Sequence, residues 1–396
     1  MVSFLLSSLA AVWQTLGLLL LFILFVEFGI DPLRRLIRRL RRPAPSNPSA
    51  AAPDAAAASG GYHDGIAKQG LDWAAYVHWR QRPYRGRYTT IDARGLRATV
   101  GENKAGADAV RVFCFGGSTL FCLGARDAGT IPSALQRRLD EAGLRASVTN
   151  QAQLAYNSSQ DLLALQALLK HGDVPDVAVF YDGFNDMFTA EWKGRADVIR
   201  GEEGRRAEFM LLAAERRSDL LRAALAAALP RSFRRIRELT GVEWPKTLAD
   251  TARVPLAEAA IPGLARDVVA AYAANVRMAR ALALEYGFQA VFVWEPVLAT
   301  KKVKSAHERW AESDRVVDLA VRQKFFSAVA SEYRHHPALA GAPDTVDLSA
   351  LFDDREESLY IDFAHLTEAA NASVAEAMLP TVAAAITTAQ KKKARA

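Results

Sequence analysis

From residue 111 onward, compact apolar runs alternate with longer amphipathic stretches, and this alternation leaves few architectures open. The runs RVFCFGG (111–117), SVTNQA (147–152), DVAVFYDG (176–183), FQAVFVWEP (288–296) and TVDLS (345–349) read as strands. Most carry apolar residues on both faces, the pattern of strands covered on both sides. Helices are predicted over 130–143, 158–170, 265–286, 308–334 and 366–387. Thr130 is placed to cap the first, with Pro132 in its opening turn, and Ser158 or Ser159 the second. Strand–helix alternation predicts a parallel sheet with helices on both faces. Right-handed crossovers then give a doubly wound, three-layer α/β/α sandwich whose five strands follow the flavodoxin-like order. In such a sheet a site lies beyond the C-terminal ends of the strands.

This domain is expected over residues 62–390, opening with a β-rich extension (62–105) and interrupted by an Arg-, Glu-, Ala- and Leu-rich helical insertion (190–262). Ahead of it, residues 4–29 are apolar enough for one transmembrane helix, so 1–30 is read as an uncleaved single-pass anchor, a membrane partner of the chain. Residues 31–61 form a basic flank and a Pro/Ala/Ser tether, and 391–396 a basic tail. Arg34, Arg35, Arg38, Arg39, Arg41 and Arg42 follow the span and no Lys or Arg precedes it, which favours a cytoplasmic C-terminal side, as in a bacterial inner membrane. The formal net charge of +6 resides largely in these arginines and in Lys391–Lys393, so no basic face remains for nucleic acid. Cys114 and Cys122 lack metal-ligand spacing and read as small core residues. The Trp192, Trp244 and Trp310 side chains read as packing or pocket-wall residues, and His335–His336 as a helix-end pair.

Three groups sit where chemistry is expected. Ser118 follows the first strand in FGGST, on a glycine turn that leads into a helix. Asn185 and Asp186 follow the third strand in YDGFND, where a carboxamide can donate to an oxyanion. His365 opens the last helix in YIDFAHLTEAAN, and of the seven histidines only it has an Asp, Asp362, three residues before it. Each motif alone has a structural explanation: a helix N-cap at Ser118, turn formers at 185–186, a helix-start Asp beside a surface His. No GxxxxGK[ST] loop and no GxSxG elbow is present.

Taken in order, these motifs resemble the SGNH/GDSL hydrolases. FGGST looks like the family's first block, NQAQLAYNSS (150–159) the second, YDGFND the third and YIDFAH the fifth. The resemblance implies an esterase with Ser118 as nucleophile and His365 as base oriented by Asp362. It implies an oxyanion hole from the N–H groups of Ser118 and Ala155 and the Asn185 side chain. Two departures stand out: GGST replaces GDS, and Ala155 replaces a glycine, which keeps the N–H but disfavours positive φ. The family implies no cofactor and no metal. An ester is the expected partner, with acylated polysaccharides and lipids both open. An acyltransferase and a catalytically weak scaffold on the same fold are the rival readings. The cytoplasmic orientation predicts that alkaline phosphatase fused to the C-terminus is inactive in bacteria; an active fusion would overturn it.

Overall fold

The computed structural model describes residues 70–101, 109–212, 254–313 and 318–394, with Tyr62, Ile66 and residues 13–15, 17, 18, 20–22 and 25. The chain divides into two compact units, Met1–Ser46 with Gly201–Arg253, and Asn47–Arg200 with Val254–Ala396. In the first, the described residues are helical between Trp13 and Phe22 and again over Glu202–Leu212. Trp13, Leu18, Leu20, Leu21 and Phe22 are exposed. Most of the expected anchor (4–29), all of the 43–61 tether, and residues 213–253 of the expected insertion with Trp244 lie outside the described residues.

The second unit holds the sheet. Short antiparallel pairs come first: β1 (Leu71–Ala74) with β2 (His78–Gln81), and β3 (Tyr84–Arg85) with β4 (Thr90–Ile91). Then follow β5 (Val110–Gly116), α1 (Ser118–Phe121), α2 (Ile131–Glu141), β6 (Ala146–Asn150), α3 (Ser158–Lys170), β7 (Val177–Asp182) and α4 (Phe184–Lys193). The order resumes with α5 (Ile261–Tyr286), β8 (Gln289–Trp294), α6 (Ala306–Ser313), α7 (Leu319–His335), β9 (Thr345–Asp347) and α8 (Glu368–Lys393). β5 to β9 form one parallel sheet in the order β6-β5-β7-β8-β9, the expected doubly wound topology.

Alternation along each strand decides what faces which layer. Val112, Cys114, Val148, Val179, Tyr181, Val291 and Val293 join the core under α2 and α8. Their neighbours Phe113, Phe115, Ala178, Phe180, Phe292 and Trp294 join the core under α3, α5 and α7. Phe115, Phe180 and Phe292 occupy paired positions on adjacent strands and stack, with ring centroids 5.2 and 5.4 Å apart. Burying each such ring is worth about 1.5–3 kcal/mol. Among the described residues only α8 is long and apolar enough to cross a membrane; its Val374, Met378, Val382 and Ile386 are buried in the core beside α2.

Three expectations need correction. Asn157, not Ser158 or Ser159, caps α3; its side chain accepts from Gln160 N at 3.2 Å. The helix expected over 308–334 is two helices, α6 and α7, and Asp318 caps the second. α4 runs to Lys193, past the expected start of the insertion at 190. Cys114 and Cys122 are both buried and free. His335 ends α7, its Nδ1 2.7 Å from Ser331 O.

Arg97 ties the extension to the turn after Ser118. It is 2% exposed, yet Nη1 donates to Phe121 O (2.6 Å) and Cys122 O (2.8 Å), Nη2 to Ala125 O (2.6 Å), and Nε pairs with Asp127 (3.0 Å). Replacing Arg97 by Met would strand these carbonyls and the carboxylate. The expected cost is about 3 kcal/mol or more, read by calorimetry as a fall in Tm of about 6 °C or more.

Candidate active site

Topology brings the first two motifs together. The crossover from β6 to β7 passes over β5, so the loops that leave β5 and β7 open side by side at a switch point. Gly116 at the end of β5 is paired with Tyr181 of β7. The second motif joins them because Gln151 N donates to Cys114 O (2.8 Å) and Gln153 N to Gly116 O (3.0 Å), extending the pairing with β5 past the end of β6.

Ser118 is the first residue of α1 and is half-buried. Gly117 before it must be glycine: a Cβ there would collide with Asn185 Nδ2 and lie 2.8 Å from Tyr156 O. Asn185, in the first turn of α4, donates from Nδ2 to Tyr156 O at 2.7 Å. A carboxamide has two N–H donors, so one remains for another acceptor. Ala155 has φ +65°, the left-handed conformation a glycine would take freely. Alanine takes this disfavoured conformation because the loop is held from outside. Trp79 Nε1 donates to Leu154 O (2.9 Å), Tyr156 OH donates to Trp79 O, and Gln153 bridges Gln81 N and Gly95 O at 2.8 Å each.

Asp362 and His365 form a closed pair. The Nδ1–H of His365 donates to Asp362 Oδ2 at 2.8 Å, and Oδ1 accepts the N–H groups of Ala364 and His365 at 2.8 Å each. Burial pushes the Asp362 carboxyl up, but the His365 ring and these N–H groups outweigh it and hold it at about 2. The other ring nitrogen, Nε2, is buried and has no hydrogen-bond partner. Phe363, between the two, meets Phe184 at 6.0 Å and Phe188 at 5.8 Å, which flank Asn185 on α4. Ala364 and Ala155 belong to one apolar cluster. A chain of contacts thus links all three motifs: Gly117 to Asn185, and the α4 phenylalanines to the Asp362–His365 loop. No hydrogen bond joins Ser118 to His365 Nε2.

Sequence reasoning named Asp186 but not the other acids grouped with it below these loops. Asp161 (α3), Asp182 (β7) and Glu295 (after β8) are buried, and Asp186 (α4) is half-buried. Burial raises Asp161 and Glu295 to about 8, Asp186 to about 6 and Asp182 well above the carboxylate range. Among the described residues no group of three or more His, Cys, Asp or Glu could hold a metal.

No protein-family model and no curated protein sequence matches the chain. Several solved structures are similar. The acetyl xylan esterase AlAXEase is 13% identical, with TM-score 0.34 over 69% of this chain and 100% of its own. TesA is 14% identical, with TM-score 0.33 over 69% and 97%. AlinE4, an SGNH-hydrolase family esterase, is 12% identical, with TM-score 0.32 over 71% and 98%.

Replacing Ala155 by Gly relieves the left-handed strain, worth up to about 1 kcal/mol net of unfolded-state entropy. A Tm raised by about 2 °C is expected in thermal melts.

Proposed function

We propose that the chain is a serine hydrolase acting on ester bonds, tethered to a membrane through residues 4–29. The observation that carries this reading is the His365 imidazole, oriented by Asp362 at 2.8 Å and left with a buried, open Nε2. An ionised Asp362 fixes the tautomer, so that Nε2 is the proton acceptor and the imidazolium formed during reaction is stabilised.

In this mechanism Ser118 Oγ attacks the ester carbonyl and passes its proton to His365 Nε2. The oxyanion accepts the N–H groups of Ser118 and Ala155 and the second N–H of Asn185, each donor typically worth about 3 kcal/mol in the barrier. The positive φ of Ala155 supports its part, since it keeps the backbone form that glycine would supply. The proton on Nε2 then passes to the departing alkoxide, leaving an acyl-Ser118 ester. Water, deprotonated by Nε2, hydrolyses that ester and returns the hydroxyl.

Ser118→Ala is expected to abolish turnover of p-nitrophenyl acetate and labelling by a fluorophosphonate, and Asp362→Asn to lower kcat about 10²- to 10⁴-fold. Asp362 stays ionised down to about pH 2, so its own protonation does not account for a loss of rate between pH 8 and pH 4. A rate unchanged between pH 8 and pH 4 would rule out a histidine base.

A further inference from the structure

Asn185 is useful to a transition state only if its amide is held to a fraction of an ångström. The first N–H groups of a helix lack intrahelical partners. The residue before α4 is Gly183, which has no side chain to serve them. It cannot be replaced by a capping residue, because its φ is +130° and the Trp294 ring would lie 3.2 Å from a Cβ. The acceptor comes instead from 111 residues along the chain: Glu295 Oε1 receives the N–H of Phe184, the residue before Asn185, at 2.6 Å. Glu295 is 2% exposed and follows β8, the strand beside β7. The buried hydroxyl of Thr119, the residue after Ser118, is near the same carboxyl without a hydrogen bond to it. One side chain therefore touches the turn that carries Ser118 and the helix that carries Asn185.

We propose that Glu295 is a positioning residue that holds the first turn of α4, and through it the Asn185 amide, in place for the oxyanion. The role rests on the hydrolase reading. Burial pushes Glu295 up to about 8 against the nearby Thr119 hydroxyl and the hydrogen bond from Phe184, and Asp186 adds to the rise. It therefore holds its proton at neutral pH and is neutral there. The ionisable groups around it are Asp161 on α3, Asp182 and Tyr181 on β7, Asp186 on α4, Tyr272 on α5, Cys122 after α1 and Tyr360 before His365. None of these is a cation, so a Glu295 anion would meet only neutral or negative neighbours, and alkali should loosen the turn.

The test is p-nitrophenyl acetate kinetics from pH 5 to pH 10 on the full chain, with Glu295→Gln, Glu295→Leu, Asn185→Ala and the Glu295→Leu/Asn185→Ala double variant. Gln keeps the acceptor for Phe184 and cannot ionise. Glu295→Gln should hold kcat within about threefold at pH 7 and move the alkaline loss of rate up by at least about half a pH unit. Glu295→Leu should lower kcat about 10- to 100-fold with KM within about twofold, and should cost little more once Asn185 is Ala. An unchanged kcat in Glu295→Leu, an equal loss in the Asn185→Ala background, or Glu295→Gln as poor as Leu would each overturn the role. Should Glu295→Leu not fold, the pH 7 rate and alkaline shift of Glu295→Gln decide alone. A wild-type chain that neither hydrolyses the ester nor takes a fluorophosphonate would overturn the hydrolase reading and this role with it; an active wild type with an unaffected Glu295→Leu overturns only the role.

Discussion

The stack of Phe115, Phe180 and Phe292 across β5, β7 and β8 sets the register on which the site depends. A parallel strand that slipped by one residue would turn these rings to the α2–α8 side and send valines to the other. Slippage would also move the loops. Gly117, Gly183 and Glu295 all lie within three residues of the stack along their own strands, so ring packing and loop placement are one constraint.

Above the stack, Ala155 and Asn185 are held by groups distant in sequence. Ala155 keeps its left-handed backbone because the N-terminal extension grips the residues on either side of it. Asn185 is fixed against Gly117 and Tyr156 O, and Asp362 and His365 against each other. The Asp362–His365 pair is local, three residues apart, and needs only its own turn. The supports of Ala155 and Asn185 are non-local and need the whole sheet, so damage to the packing should reach them before the Asp362–His365 pair.

This division also explains what could be read from residues alone. Strands buried on both faces leave apolar runs, and the helices between them leave caps such as Thr130, so topology was legible. Asp362 and His365 were legible because their contact spans one turn. Asn157 was missed as the α3 cap because two serines follow it and any of the three can cap. The stretch between α6 and α7, DRVVD (314–318), carries no Pro or Gly, only the capping Asp318. Glu295 and Arg97 gave no signal at all. Each is one charged residue among many, and its meaning comes from backbone groups that the fold brings to it. A Trp-Glu-Pro step after a strand does not announce whose N–H the carboxyl will accept.

The grip of Trp79, Gln81 and Gly95 on the 153–156 loop changes where the working unit begins. The repeating strand–helix pattern starts at β5, and a shortened chain cut just ahead of it would retain every strand of the sheet. It would also lose the hydrogen bonds that oppose relaxation of Ala155 to an ordinary backbone. The small β-rich segment is thus an external brace, and the smallest self-sufficient version of this fold has to start ahead of Trp79.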